Sequence, residues 1–305
     1  MLLFISKLRK FPNAAFPRSF NEKLLWRKVF DRNPLYGTMT DKLAARDFVR
    51  QLVPELHHPR VFWSGDKIAD MPADILNSPC VLKTNRGSGW NLFNWTSNSI
   101  SKERVVEYFL PIANRAYGVE KGEWTYGLFE QTFFAEELLV GPDGQVPDDY
   151  KFHTFGGTVL LCSVIHDRFG NRRQIGVDRD WQLSDTVWAA YGNDFRPEFN
   201  SLHHGMIEIV ERLAAGTDYL RVDLYVHEGR LYFGEFTFFP GSGLSLRNVG
   251  LMELRRNAHW DLSRSSFFTA GEAGWRRRYR QLLTEDLHRA KRRAEDYAAQ
   301  QGIPH

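Results

Sequence analysis

The spacing of apolar positions changes repeatedly along the chain. In Asn21 to Arg32 (NEKLLWRKVFDR), Leu24, Leu25, Lys28 and Val29 stand at helical spacing, and Pro34 supplies a stop, which predicts a docking helix. A second helix is predicted in DKLAARDFVRQL, capped by Thr40, with Leu43, Phe48, Val49 and Leu52 on its apolar side and Lys42 and Arg46 one turn apart. Short segments of strand character follow: RVFW, PCVLKT and NLFNW, the last two flanking a Gly-Ser-Gly turn. Ser101 to Tyr117 reads as an amphipathic helix. Strands are expected around TFFAEELLV, DYKFHTF and TVLLCSVI, with Gly156-Gly157 as a hairpin turn between the last two. From Pro197 a long helix carries Leu202, Met206, Ile209, Val210 and Leu213 on one side and ends at Gly216. Two strands, YLRVDLYV and RLYFGEFTFF, meet at Glu228-Gly229, and the tail after Gly274 is helical with few apolar anchors. Strands mixed with helices make this an α+β, or mixed α/β, protein.

Composition narrows the class. With 43% hydrophobic and 25% charged residues, the 305-residue chain is globular, and no Pro/Ser/Gly-rich linker or long-period repeat divides it. The +3 balance of 40 basic and 37 acidic residues does not point to nucleic acid. The basic residues crowd the tail, at Arg276, Arg277, Arg278, Arg280, Arg289, Lys291, Arg292 and Arg293. This is a solvated helix face or a surface for phosphates or anionic membrane. Cys80 and Cys162 lie far apart in apolar segments, as reduced buried thiols do. MLLFISKLRKF is too short an apolar run for a signal peptide or for a span of about 20 residues, so a cytoplasmic location is expected.

Chemistry concentrates in a few places. Asp223 and Glu235 fall on the two strands of the last hairpin, ahead of PGSG, where two carboxylates can converge on a magnesium ion or stand exposed beside basic neighbours. In KTNRGSGWN, Lys83 precedes a turn in which Gly87, Ser88 and Gly89 would let backbone N–H groups approach phosphates; the bland alternative is a plain hairpin. In AEELLVGPDGQVPDDYKFHTF, Glu136 and Glu137 close an apolar run suited to adenine, and Lys151 opens the next strand, as an edge lysine or an anion ligand. Arg221, two residues before Asp223, shares its face and could neutralise oxyanion or phosphoryl charge. Arg168 in VIHDRFG is a turn arginine or a further anion ligand. The pairs His57-His58 and His203-His204 lack metal-ligand spacing. Neither G-x-S-x-G nor H-E-x-x-H occurs.

In this order, from FNEKLLWRKVFDRNPLYGTMTDKLAARDFV through KTNRGSGWN, AEELL, PDDYKFHTFGG and HDR to RVDLYVHEGRLYFGEFTFFPGSG, the motifs resemble the ATP-grasp superfamily, in particular its branch associated with teichuronopeptide and surface-polysaccharide biosynthesis. The resemblance implies two α+β lobes clamping ATP. Residues 1–75 would form an N-terminal helical and α/β portion and 76–270 the two lobes, with the glycine loop in 76–135 and the metal site in 136–270. Residues 271–305 would form a basic helix. It implies Lys83 and Lys42 on the nucleotide phosphates, Gly87, Ser88 and Gly89 in a closing loop, and Glu136, Glu137, Leu138 and Leu139 as the adenine and ribose hinge. Asp223, Glu235 and Thr237 correspond to the metal motif and Arg221 to an arginine for a tetrahedral intermediate. Two positions depart from the pattern. Thr237 replaces an asparagine of the metal motif, and Arg86 replaces a histidine of the glycine loop, where it could contact a phosphate or an acidic acceptor.

The function so implied is an ATP- and Mg2+-dependent carboxylate-amine or carboxylate-hydroxyl ligase acting through an acyl-phosphate. Its acceptor would be a sugar, nucleotide sugar or lipid-linked glycan, with no nucleic acid involved. Two other readings stay open: a glycan kinase on the same fold, and an inactive nucleotide-binding scaffold. The basic tail adds a peripheral contact with the inner membrane face as a separate expectation.

Overall fold

Ser19 starts the first long helix by a reciprocal capping box: its side chain accepts from the Glu22 N–H while the Glu22 carboxylate accepts from the Ser19 N–H. The resulting helix α2 (Phe20–Phe30) follows a short α1 (Leu2–Leu8). The computed structural model describes residues 1–95, 99–113, 115–184, 194–245, 257, 259–270 and 274–301, and divides the chain into two compact units. Residues 1–33, 216–218 and 239–305 form one; residues 34–215 and 219–238 form the other.

In the first unit α2 is buried more fully than its periodicity predicts. Val29, placed on its apolar side by spacing, is exposed, while Lys23, Arg27 and Lys28 are buried. The cations are tolerated because each has oxygen partners. Arg27 pairs with Asp218 at 2.6 Å, and Lys23 donates to the Asn257 and Trp260 carbonyls at 2.6 Å each. Trp26 packs edge-on against Phe267 of α7 (Ser266–Thr269) and donates to the Tyr279 hydroxyl of α8 (Trp275–Gln301). The predicted tail helix is thus present, although the Lys291 and Arg293 side chains lie outside the described residues.

The second unit carries two antiparallel sheets. α3 (Leu35–Thr40) and α4 (Ala44–Leu52) precede them. Thr40 does not cap α4: the N-cap position is Leu43, without a side-chain cap, and the Asp41 carboxylate holds the preceding turn by accepting from the Leu43 and Ala44 N–H groups, so Lys42 stands in that turn rather than on the helix. The first sheet contains β1 (Val61–Gly65), β4 (Phe133–Glu137), β2 (Cys80–Thr84) and β3 (Asn91–Asn94), in the order β1-β4-β2-β3. One of its faces packs Cys80, Leu82, Phe133 and Ala135 against Val105, Phe109 and Ile112 of α5 (Lys102–Ala113). The predicted helix from Ser101 to Tyr117 is shortened to that span, and Asn114 within the prediction lies outside the described residues.

The second sheet contains β5 (Asp149–Phe155), β6 (Thr158–His166), β7 (Arg173–Val177), β8 (Tyr219–His227) and β9 (Arg230–Thr237), ordered β7-β6-β5-β8-β9. Leu220, Val222 and Leu224 are fully buried, as are Met206, Val210 and Leu213 of α6 (Ser201–Ala214), which crosses the sheet. The turns at Gly156-Gly157 and Glu228-Gly229 join β5 to β6 and β8 to β9 as predicted. A mixed α+β chain is what the pattern predicts; the division into two sheets and strand β7 are additions that the pattern did not reveal.

Candidate nucleotide and metal site

Alternation within the strands sends one face of each sheet to its helix and the other to a shared cleft. Val81, Lys83, Asn91, Phe93, Phe134 and Glu136 of the first sheet line the cleft. Asp149, Lys151, Asp223, Tyr225 and Glu235 of the second do the same. Lys42, Gly87, Ser88, Gly89, Glu137, Leu138, Leu139 and Arg168 also line it, so residues separated by almost 200 positions converge on one volume.

Convergence of the two carboxylates depends on a bulge. Asp223 pairs with Glu235 but Leu224 pairs with Phe233, leaving Gly234 as an extra residue on β9. Without it, Glu235 and the buried Phe233 would point the same way. A side chain at Gly234 would also collide with the Asp223 carbonyl, 2.9 Å from its Cβ position. Gly234 therefore turns Glu235 toward the cleft while Phe233 stays in the core.

The second sheet's face is an alternating ladder of charge. Arg221 donates to both Asp223 oxygens, at 2.6 and 2.7 Å, and to Glu235 Oε1 at 2.9 Å. Lys151, opposite Asp223 across the strands, donates to it at 2.6 Å. Burial works to raise the Asp223 pKa, but Arg221 and Lys151 outweigh it and hold the carboxyl below the ordinary carboxylate range. Arg221 is correspondingly held above the usual guanidinium range: burial opposes this, and Asp223 and Glu235 prevail. Arg221 and Thr237 are not cleft-lining residues; both act on Glu235, the Thr237 hydroxyl donating to Oε1 at 3.2 Å. Among the described residues the hydrogen bonds to Glu235 fall on Oε1, from Arg221 and Thr237.

On the opposite sheet, Glu136 is buried and accepts from both Lys83 and Arg46. Lys42 differs from its neighbours. Its ammonium donates to the Gly87 carbonyl, and among the described residues no carboxylate lies within ion-pair distance of it. Burial pushes its pKa down, partly countered by Glu235. The glycine loop is held from behind by Tyr117, whose ring lies 2.9 Å from where a Gly87 Cβ would stand. Arg86 does not line the cleft: its guanidinium donates to the Phe129 carbonyl and lies over the Phe129 ring. The geometry thus gives Arg86 a structural anchor in place of the phosphate or acceptor contact expected of it.

Hard oxygen donors suit magnesium, which takes one or two protein carboxylates and fills its other positions with phosphate and water. Asp223 and Glu235 fit that donor set. Among the described residues no cluster of three or more His, Cys, Asp or Glu side chains forms a self-sufficient metal cage, so phosphate oxygens would complete the shell. Sequence reasoning missed Arg46 as the second partner of Glu136, and missed Asp149, which accepts from Lys151 and Arg168. Asp149 stands two residues before Lys151 on the same strand, a signal present in the PDDYK motif. His153 and His166 are satisfied by Tyr219 and Asp148, at 2.9 Å each. Cys80 and Cys162 are buried free thiols.

A family model described as TupA-like ATPgrasp matches residues 22–248. Among solved structures, D-alanine--D-alanine ligase from Bacillus anthracis, complexed with ATP, is 15% identical with a TM-score of 0.41, covering 66% of this chain and 54% of its own. The ATP-grasp ligase PsnB, complexed with a phosphomimetic precursor variant, Mg and ADP, is 11% identical with a TM-score of 0.38, covering 72% and 58%. D-alanyl-alanine synthetase A from Vibrio cholerae is 12% identical with a TM-score of 0.41, covering 72% and 61%. The match thus spans between half and two thirds of the length of these ligases. No curated protein matches the chain.

Proposed function

The chain belongs to the TupA-like ATP-grasp family, and from that premise we propose that it binds Mg-ATP in the cleft and ligates a carboxylate to an amine or hydroxyl through an acyl-phosphate. The observation that carries this reading is Lys42, a cation lining the cleft beside the glycine loop with a carbonyl rather than a carboxylate as its partner. An ammonium drawn from water with no carboxylate at ion-pair distance is costly, and an arriving phosphate offsets that cost.

Each residue then has a task. Lys42 and Lys83 hold phosphate charge, and backbone N–H groups of Gly87 to Gly89 approach the phosphate oxygens. The apolar Leu138 and Leu139 face the adenine. Asp223 and Glu235 would hold magnesium, which supplies charge neutralisation on the transferring phosphoryl group. Arg221 fixes both carboxylates and adds positive potential where oxyanion charge develops, while Lys151 and Arg168 orient the substrate carboxylate. Closure of the glycine loop excludes water from the acyl-phosphate. Cell-surface glycan assembly is the setting consistent with the family, with a sugar, nucleotide sugar or lipid-linked glycan as acceptor.

Calorimetry of Mg-ATP binding tests this, comparing the native chain with Lys83→Ala and with Asp223→Ala/Glu235→Ala. Magnesium-dependent binding lost in the variants is the expected result, followed by release of free phosphate with the correct acceptor. Transfer of phosphate to the acceptor without free phosphate would instead identify a kinase. A folded native chain that binds no ATP would remove the ligase reading and leave the scaffold.

We further propose that the first unit attracts an anionic membrane face. α8 exposes Trp275, Arg277, Arg278, Arg289 and Arg292, and Leu2 and Phe11 are more than four-fifths exposed near Lys7, Arg9 and Lys10. No described helix is long and apolar enough to cross a membrane. At about 1 kcal/mol per well-placed basic residue, such attraction would fade with salt. Unchanged binding to phosphatidylserine vesicles after deletion of the residues following Gly274 would refute the part assigned to α8.

A further inference from the structure

Asp149 is a buried carboxylate that the proposed chemistry leaves unused. Its side chain is 1% exposed, and it accepts from Lys151 Nζ at 3.3 Å and from Arg168 Nη1 at 3.2 and 3.3 Å. The same Lys151 ammonium donates to Asp223 Oδ2 at 2.6 Å. It therefore bridges two carboxylates and can give up Asp223 while keeping Asp149 as its acceptor.

Both Asp223 oxygens already accept from cations. Arg221 occupies Oδ1 and shares Oδ2 with Lys151. A divalent cation at Asp223 would face both of these positive charges unless one of them moves away. Arg221 is a planar fork bound to Asp223 through two bonds and to Glu235 through a third, so moving it breaks three contacts. Lys151 is a point charge on a flexible stem and breaks one. Left without an acceptor, though, its ammonium would be a poorly solvated charge facing the incoming cation.

We propose that Asp149 is a positioning residue that receives Lys151 when a divalent cation takes up Asp223. Lys151 gives up Asp223, closes on Asp149 away from the cation, and remains in the cleft beside Arg168. Asp149 thereby lowers the magnesium concentration at which the site forms, without touching the metal or the nucleotide. This inference rests on the Mg-ATP reading above.

The test is the free Mg2+ giving half-maximal ATP binding by the full chain, measured by calorimetry. With Asp149→Asn it should rise about tenfold, and Asp149→Glu should recover most of the loss. Lys151→Met, which removes the competitor for Asp223, should lower the requirement below that of the native chain. In that background Asp149→Asn should have no further effect. A purely structural role would shift the requirement equally in both backgrounds, and that result would overturn the inference. So would an unchanged requirement in Asp149→Asn while the native chain binds Mg-ATP, an outcome that leaves the ligase reading standing. If Asp149→Asn does not fold, Lys151→Met alone decides: a requirement that rises or stays constant refutes the inference. A native chain that binds no Mg-ATP would remove both readings together.

Discussion

Lys83 on β2 is tethered to Glu136 on β4, the adjacent strand of the same sheet, and the same carboxylate also binds Arg46. One buried negative charge thus serves two cations that line the cleft. Replacing Glu136 by Gln keeps its shape but leaves both cations uncompensated, and removing one member of a buried ion pair costs about 3–5 kcal/mol. ATP phosphates can take over for Lys83. Urea unfolding of Glu136→Gln should therefore show a marked loss of stability in the free chain and a larger stabilisation by Mg-ATP than in the native chain. Equal stabilisation of both by the nucleotide would mean that Lys83 does not meet the phosphates.

Lys42 predicts a pH dependence of nucleotide affinity. Burial depresses its pKa in the free chain, and bound phosphates would raise it. Below the depressed value Lys42 is protonated in both states and affinity is full. Between the free and bound values binding takes up a proton, so affinity falls as pH rises, by up to tenfold per unit. Calorimetry in alkaline buffers of different ionisation enthalpy should register this uptake in the native chain and not in Lys42→Met. No proton uptake by the native chain across the alkaline range would remove Lys42 from the phosphate site.

Gly87 predicts a steric effect confined to the loop. Its φ of 90° already strains any side chain, and its Cβ would stand 2.9 Å from the Tyr117 ring. Gly89 has a φ of 82° with nothing within 4 Å. Both positions disfavour alanine by about 1–3 kcal/mol on backbone grounds, but only Gly87→Ala must also move the ring. ATP binding should accordingly weaken more in Gly87→Ala than in Gly89→Ala. Equal losses would show that Tyr117 yields freely and does not hold the loop.

Much of the cleft was legible because strand alternation and small-residue turns are local signals. Lys83 before Gly-Ser-Gly, and Asp223 opposite Glu235, could be read from spacing together with the resemblance. What was not legible depends on register or on distant partners. The bulge at Gly234, which decides where Glu235 points, breaks the simple alternation, and only the glycine itself hinted at it. Thr40 looked like a cap by residue type, but it ends α3, and the turn into α4 is held by the Asp41 carboxylate. The burial of Lys23 and Arg27 could not be foreseen, since their partners lie almost 200 residues or more along the chain. Arg86 looked available for the same reason: its anchor, the Phe129 carbonyl, is distant in sequence.

Lys23 connects this buried polar chemistry to stability. Burial pushes its pKa down to about 8 from an ordinary value of 10.5, with Asp261 countering in part. Below pH 8 the lysine is charged in both folded and unfolded chains and contributes no slope. Between pH 8 and 10.5 the unfolded chain holds the proton more tightly, so this residue's contribution to stability rises with pH, by about 2–3 kcal/mol over the window. The buried thiols act in the opposite sense, because burial pushes Cys80 up to about 11 and Cys162 well above the ordinary thiol range, favouring ionisation on unfolding. The informative quantity is therefore the difference in urea unfolding free energy between the native chain and Lys23→Met. It should move in favour of the native chain from pH 8 to pH 10, and a difference that stays constant would mean that Lys23 is solvated in the folded chain, against its burial beside the Asn257 and Trp260 carbonyls.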